Sequence, residues 1–215
     1  MLLYYITDRK QLPGDEPARR AALLKKIGEA AHCGVDFIQL REKDLLAREL
    51  EALAQAAARV IRENSQPRTR FLINSRSDVA IACGADGVHL RSNDISASEV
   101  RKAWTKDADI RVRERNWPVI GVSCHSVAEV VHAASEQASF AVFGPVFEKK
   151  DNLEARLTGM EALKQACAQQ IPVLALGGIT LENAHSCVKA GAAGVAGIRL
   201  FQENDIARVV QTLRS

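Results

Sequence analysis

Short, mostly apolar runs alternate with longer amphipathic segments along the whole chain. The runs are four to six residues long and predict eight strands. These strands are Leu2–Ile6, Val35–Leu40, Arg70–Asn74, Gly87–Leu90, Pro118–Ser123, Phe140–Phe143, Pro172–Leu176 and Gly194–Ile198. Strands without a polar face are typical of parallel sheets, which are covered on both sides.

A segment with helical periodicity follows each predicted strand. The segments are Pro17–Cys33, Leu46–Glu63, Asp78–Cys83, Ser96–Trp104, Val127–Glu136, Met160–Ala168, Leu181–Ala190 and Ile206–Leu213, and Ser96 is the expected N-cap of the fourth. Eight strand-then-helix units with short links favour a closed barrel over an open doubly wound sheet, which is the alternative. We therefore predict an α/β protein that forms one (β/α)8 barrel domain, also called a TIM barrel, over residues 1–215.

Composition and net charge limit the classes of binding partner that we expect for this protein. The apolar share of 47% and the charged share of 26% are those of an ordinary globular protein. A net charge of +3 gives no reason to expect nucleic acid or an anionic membrane, but it leaves room for a small anionic metabolite. Five widely spaced cysteines without a metal-binding pattern favour reduced thiols and a cytoplasmic protein. Association of copies into a homo-oligomer is left open.

Two cations, Arg41 and Lys43, follow the second predicted strand. In a barrel of this kind, active groups lie at the carboxyl ends of the strands. Arg41 and Lys43 are two residues apart, so both point to the same side of a continuing strand. Such a pair can bind the diphosphate group of a substrate and stabilise it as the leaving group of a reaction. The alternative is that residues 41–44, Arg-Glu-Lys-Asp, form a solvated surface run.

Glycines follow the seventh and eighth predicted strands. In this architecture the loops after those strands commonly build a phosphate cradle. Gly177 and Gly178, and the Gly197-Ile198 pair, allow backbone N–H groups to approach phosphate oxygens, and Arg199 adds a forked donor. The alternative is that these glycines only make turns. We favour phosphate binding because both loops have the pattern.

Four further polar residues are candidates for chemistry. Asp94 and Asp8 each have a carboxylate able to bind Mg²⁺, although helix capping or solvation explains Asp94 as well. His125 is a candidate acid or base, with a structural hydrogen bond as the stronger interpretation. His89 lies within the fourth predicted strand, which indicates a structural role.

The ordered set of motifs resembles the thiamine phosphate synthase family, whose superfamily also contains thiazole tautomerases. No single motif is specific, but their order and spacing cover almost the whole chain. They are Tyr5–Asp8, Gln39–Lys43, Ile73–Ala80, Gly84–Leu90, Gly121–Ser126, Phe143–Phe147, Gly177–Asn183 and Gly191–Ala196.

The resemblance implies a transferase of thiamine biosynthesis on a (β/α)8 barrel. The enzyme joins hydroxymethylpyrimidine diphosphate to a thiazole phosphate and releases diphosphate, with Mg²⁺ as cofactor. By position, the resemblance assigns diphosphate contacts to Arg41, Lys43, Asn74 and Ser123, with Arg41, Lys43 and Ser123 as catalytic groups. It also assigns the pyrimidine to Gln39, Mg²⁺ to Asp94, and the thiazole phosphate to backbone groups of Gly178 and Ile198.

The chain differs from the family pattern at several positions near the expected site. Ser75 stands where the family has a metal-binding Asp, and Arg91-Ser92 replaces a Gly-Gln pair. Residues 148–152 replace a Pro-Thr-x-Thr-Lys loop, and we hypothesise that Lys149 or Lys150 substitutes for its lysine. Residues 198–200, Ile-Arg-Leu, stand in place of Ser-Ala-Ile.

Three alternatives to the synthase remain open at this point. The segment from Phe143 to Gly159 also resembles the tautomerase branch, in which a His occupies the position of Pro145. A tautomerase-like isomerase is therefore one alternative, and a non-catalytic protein that binds thiazole phosphate or thiamine phosphate is another. A barrel acting on a sugar phosphate is a more distant third.

Overall fold

The computed structural model describes residues 1–65, 69–106, 117–148 and 157–215. Its eight parallel strands close into a barrel in chain order, with helices between them, so the predicted (β/α)8 barrel is confirmed. The strands are β1 (Leu2–Ile6), β2 (Phe37–Leu40), β3 (Arg70–Asn74), β4 (Gly87–Leu90), β5 (Val119–Cys124), β6 (Phe140–Phe143), β7 (Val173–Leu176) and β8 (Gly194–Gly197).

The helices lie close to the predicted segments, with two short additions. They are α1 (Glu16–His32), α2 (Ala47–Asn64), α3 (Ser77–Ala82), α4 (Ala97–Lys106), α5 (Val127–Ser135), α6 (Gly159–Cys167), α7 (Ala184–Lys189), α8 (Arg199–Gln202) and α9 (Ile206–Arg214). The sequence did not predict α8 or a 3-10 helix at Arg9–Gln11. Ser96 caps α4 as expected, since its hydroxyl oxygen accepts from the N–H of Glu99 at 3.3 Å.

Alternate residues of β1 and of β6 pack into two different cores, while apolar residues of β4 belong to a third cluster with α4. Tyr4 and Phe140 belong to the smaller core inside the barrel, whereas Tyr5 belongs to the larger core between strands and helices. Gly121 provides room inside, because a Cβ there would lie 2.6 Å from the Phe140 ring and 2.9 Å from Nδ1 of His89. This alternation of inward-facing and outward-facing residues continues to the carboxyl ends of the strands. There it decides which side chains face the open end of the barrel, called the mouth below.

A single carboxylate joins the two ends of the chain at the opposite, amino-terminal end of the barrel. Oδ2 of Asp36 accepts from the N–H of Leu3 and from a guanidinium N–H of Arg214, each at 2.8 Å. Arg214 also donates to the carbonyl of Gly34 at 2.7 Å. The first strand and the last helix are therefore tied to the residue that precedes β2.

No helix in the part of the chain that the structure describes is long and apolar enough to cross a membrane.

Candidate active site

A row of hydrogen-bonded polar side chains crosses the mouth from β2 to the loop after β4. Gln39 donates from Nε2 to Oδ1 of Asn74 at 3.0 Å, and Asn74 donates from Nδ2 to the Ser75 hydroxyl at 3.1 Å. Ser75 in turn donates to Oδ2 of Asp94 at 2.7 Å. The structure therefore brings together Gln39, Asn74 and Asp94, three of the residues that the sequence singled out.

One polar atom in this row has no partner within the described ranges. Oε1 of Gln39 is buried and accepts no hydrogen bond, while the amide nitrogen of the same side chain is engaged by Asn74. A buried acceptor without a donor costs free energy of about 1–3 kcal/mol. This oxygen is accordingly a natural acceptor for a donor group of a ligand.

His89 is held inside the barrel between two hydroxyl groups. Its Nε2 lies 2.8 Å from Oγ of Ser123 and its Nδ1 lies 3.2 Å from the Tyr4 hydroxyl. Burial, and then the nearby charge of Arg41, lower the pKa of His89 to about 3, so the imidazole is neutral. The role assigned to His89 from the sequence is structural, and its contacts fit that role by fixing Ser123 at the mouth.

The loop after β2 places Arg41 toward the mouth and Glu42 away from it. The Arg41 charge acts on buried His89, and its N–H donates to the Thr7 hydroxyl at 3.0 Å. Glu42 is only 5% exposed, and it accepts from Thr7 Oγ1 at 2.6 Å. The surface-run alternative for residues 41–44 is therefore wrong at Glu42, and Lys43 is exposed.

A buried arginine that sequence reasoning missed fixes this loop. Arg9 is 3% exposed and makes a forked pair with Asp44, at 2.7 and 2.8 Å. It also donates to Glu42 at 3.1 Å and to Glu16 at 2.8 Å. Burial raises the pKa of Glu42, whereas the hydrogen bonds from Arg9 lower the pKa of Asp44. The only sequence signal was a pair of carboxylates at 42 and 44 beside the two cations.

The loop after β7 has the backbone shape that a phosphate cradle needs. Gly177 and Gly178 have φ angles of +96° and +63°, and a Cβ on Gly178 would lie 2.4 Å from the carbonyl oxygen of Glu148. Asn183 donates from Nδ2 to the Gly178 carbonyl at 2.9 Å and holds the turn. No acceptor is recorded for the Gly178 N–H among the residues described, so it is available to a ligand.

The loop after β8 lies beside it, where it would form the second half of the predicted cradle. Ile198 is the N-cap of the short helix α8, and Arg199 is its first residue. Strand β8 pairs with β7, so these residues stand next to Gly177 and Gly178 at the same edge. An additional short helix after the last strand is the arrangement that phosphate-binding barrels use. The phosphate contacts of Gly178, Ile198 and Arg199 remain predictions.

Replacing Gly178 with alanine should weaken binding of a thiazole phosphate by about tenfold or more, which corresponds to one lost charge-assisted hydrogen bond. The new Cβ collides with the Glu148 carbonyl and must displace the cradle. Isothermal titration measures the change. Gly84→Ala is the matched control, because Gly84 has a similar φ of +66° but open space around its Cβ. Equal affinity in Gly178→Ala and wild type would contradict the cradle.

The predicted magnesium ligand, Asp94, is already surrounded by donors. Its Oδ1 accepts from Nε and a terminal nitrogen of Arg91 at 3.1 and 2.9 Å, and its Oδ2 accepts from Arg91 N–H and Ser75. Burial alone would raise the pKa of Asp94, but these hydrogen bonds outweigh it and lower the pKa. No cluster of three His, Cys, Asp or Glu suited to a metal occurs in the described ranges. This surrounding does not fit a resident cation at Asp94, and Mg²⁺ stays a prediction.

Two other candidates have local structural partners. The side chain of Asp8 caps the 3-10 helix by accepting from Lys10 N–H at 3.3 Å. His125 has its Nδ1 2.6 Å from the Gly144 carbonyl oxygen, in keeping with the structural interpretation. The hypothesis about Lys149 or Lys150 lies outside the described residues.

The fold and the mouth together define a (β/α)8 barrel with glycine loops of the kind that bind phosphate in this architecture. Comparison with known proteins identifies which one: the model of the thiamine monophosphate synthase family matches residues 3–201, and the chain belongs to that family. A relative from Aquifex aeolicus, called putative thiamine-phosphate synthase 2, is 37% identical over 94% of this chain and 97% of its own length. The thiamine-phosphate synthase of Pyrococcus furiosus is 32% identical over 99% of this chain and 92% of its own.

Solved structures agree with this assignment. Thiamine phosphate pyrophosphorylase from Pyrococcus furiosus superimposes with a TM-score of 0.78 at 29% identity, over 99% of this chain and 93% of that one. A 3-hexulose-6-phosphate synthase superimposes with a TM-score of 0.65 at 19% identity, over 100% of this chain and 98% of that one, which shows the shared fold alone. The resemblance seen in the sequence is confirmed.

Proposed function

We propose that this chain is a thiamine phosphate synthase, which joins hydroxymethylpyrimidine diphosphate to a thiazole phosphate and releases diphosphate. The observation that supports it most is the division of the mouth into two neighbouring parts. Polar side chains of β2 to β5 occupy one part, and the glycine loops after β7 and β8 occupy the other. A reaction between two anionic substrates needs such adjacent sites, because orientation removes much of the barrier.

The first part suits the pyrimidine and its diphosphate. Oε1 of Gln39, which lacks a donor within the described ranges, would accept from the amino group of the pyrimidine. Arg41, Lys43, Asn74 and Ser123 would then lie around the diphosphate, as the resemblance implies. The pyrimidine ring of the substrate would therefore point into the barrel, and its diphosphate would lie near Arg41 and Lys43.

The reaction requires the bond between the methylene carbon and the diphosphate oxygen to break. The electron pair leaves with diphosphate, and the lone pair of the thiazole nitrogen forms the new bond to that carbon. Negative charge grows on the leaving group, so fixed donors stabilise the transition state more than the bound substrate. Arg41 and Ser123 would supply such donors, and Nε2 of the neutral His89 lies 2.8 Å from the Ser123 hydroxyl.

Purified protein supplied with both substrates should form diphosphate and thiamine phosphate in equal amounts. Coupled detection of diphosphate and chromatography of thiamine phosphate measure the two products. Omission of either substrate should abolish both, and Ser123→Ala should slow both together. Diphosphate without thiamine phosphate would indicate simple hydrolysis and would contradict the proposal.

The same substrates separate two of the three other functions that the sequence left open. Conversion of a thiazole carboxylate phosphate between tautomers, with no diphosphate release, would indicate the isomerase. No observation favours it, since Pro145 occupies the position of that branch's His, and His125 is bound to the Gly144 carbonyl. Binding of both ligands with no turnover would indicate a non-catalytic binder.

A further inference from the structure

We propose that the guanidinium of Arg91 takes the place of a metal ion at the diphosphate end of the mouth, so that this chain binds diphosphate without Mg²⁺. The inference rests on the proposed function for the identity of the leaving group. It assigns a role to Arg91, which lies outside the set that the resemblance assigned to the site.

The geometry at Asp94 is that of a carboxylate already matched with a cation. Nε and a terminal nitrogen of Arg91 both reach Oδ1, at 3.1 and 2.9 Å, while Arg91 N–H and Ser75 reach Oδ2 at 2.8 and 2.7 Å. A carboxylate has about four lone-pair sites, and four donors occupy them. A metal ion would have to displace the guanidinium to reach Oδ1, and the Arg91 N–H or the Ser75 hydroxyl to reach Oδ2.

The charges at this place balance without a metal. Asp94 supplies one negative charge and Arg91 one positive charge, and Ser75 supplies a neutral hydroxyl. In the pattern that the chain resembles, the positions of Ser75 and Arg91 are an acidic residue and a glycine, which leaves two negative charges for a divalent cation. The loss of one carboxylate and the gain of one guanidinium each make the site more positive by one charge, and together they replace the two positive charges of the divalent cation.

Arg91 lies where it can also reach a diphosphate. Arg91 joins the polar row across the mouth through Asp94 and Ser75, and with Asp94 and Ser123 it also lines a cavity of about 90 Å³ between the loop after β4 and α5. Arg91 follows the inward-facing His89 by two residues, and its side chain is 58% exposed, against 11% for Asp94. A guanidinium has five N–H donors, so those not directed at Asp94 remain for phosphate oxygens.

The cavity has acidic residues on its far side, but they have partners of their own. Glu129 accepts from the His125 N–H at 2.6 Å, and Glu136 accepts from the Ser98 hydroxyl at 2.5 Å. Both residues belong to α5 or its C-cap, across the cavity from the loop that bears Arg91. These neutral donors do not cancel the two negative charges, so a diphosphate would lie on the side of Arg91, away from α5.

The test is titration of inorganic diphosphate into the protein with a chelator present, and again with Mg²⁺. Wild type should bind without metal, and Arg91→Ala should bind about 10-fold to 100-fold more weakly, as expected for losing hydrogen bonds to a charged group. Arg70→Ala is the matched control, because Arg70 forms a similar exposed pair with Asp86 at the opposite end of β3. It should bind as wild type does.

A second variant tests the substitution of charge directly. Ser75→Asp combined with Arg91→Gly should create a metal site, so that it binds Mn²⁺ in an electron paramagnetic resonance titration and requires a divalent cation for diphosphate. Wild type should leave the signal of free Mn²⁺ unchanged. Thermal unfolding of each variant shows that it is folded.

The outcomes separate this inference from the synthase proposal. Diphosphate binding to wild type only with Mg²⁺, or equal metal-free binding by Arg91→Ala and wild type, would overturn the inference even if turnover is observed. Metal-free binding that depends on Arg91, in a protein that forms no thiamine phosphate, would support the inference and remove the synthase.

Discussion

Arg41→Ala should lower the rate constant of diphosphate release on the order of 100-fold to 1,000-fold, the range found when one preorganised donor to a developing anion is removed. The side chain is half-buried beside His89, where water screens its charge less than at the surface. Since the leaving group gains charge in the transition state, kcat should fall more than KM rises. Steady-state kinetics over both substrates measures the two parameters.

The control for Arg41 is a cation of the same chain away from the mouth. Arg62 lies exposed in the last turn of α2, at the end of that helix farther from the mouth, so Arg62→Ala changes the net charge by the same amount without touching the site. It should leave kcat unchanged. If Arg41→Ala raised only KM, Arg41 would bind the substrate and its transition state equally, and the role proposed for it would be wrong.

The free energy of unfolding should fall by roughly 2 kcal/mol between pH 7 and pH 5 because of His89 alone, at about 1.4 kcal/mol per pH unit. Burial lowers the pKa of His89 to about 3, whereas in the unfolded chain it is near 6.5. Between these two pKa values His89 is protonated in the unfolded chain but stays neutral in the folded protein. This stability is therefore complete above pH 6.5 and is lost as the pH falls. Urea unfolding at several pH values measures it.

His89→Asn should remove this part of the pH dependence, although the variant will be less stable at pH 7. His185→Asn, which removes an exposed imidazole on α7, should retain it. Glu42 acts with the opposite sign, because burial raises its pKa and favours the folded state in acid, but it is the same in both proteins. If the free energies of unfolding of wild type and His89→Asn changed equally with pH, His89 would be protonated in the folded protein and the prediction would be wrong.

The sequence predicted the barrel well because its strands are apolar on both faces and its helices are not. β1, β3, β4 and β6 have the predicted bounds, since polar or glycine residues end each run. Helix α8 was missed because four residues give too little periodicity to detect. Residues 35 and 36 were placed in a strand, but Val35 packs into the outer core and Asp36 is engaged with Leu3 and Arg214.

The site was predictable where position along a strand decides orientation. Arg41 and Gln39 share a side with Asn74, as a period of two requires, and the structure places them at one mouth. Burial of Arg9 was not predictable, because its carboxylate partners come from two parts of the chain, Glu16 at the start of α1 and the pair Glu42 and Asp44 after β2. The pairing of Arg91 with Asp94 also depends on a loop conformation that no periodicity describes.

Asp36 has a practical consequence for how this protein can be joined to others. Because Leu3 and Arg214 meet the same carboxylate at the amino-terminal end of the barrel, both chain ends leave the molecule on the side away from the mouth. A fusion partner or an affinity tag at either end would not obstruct the entry of substrates. A short peptide linking the two ends would be expected to permit a circularly permuted chain, opened at a loop between α3 and β4.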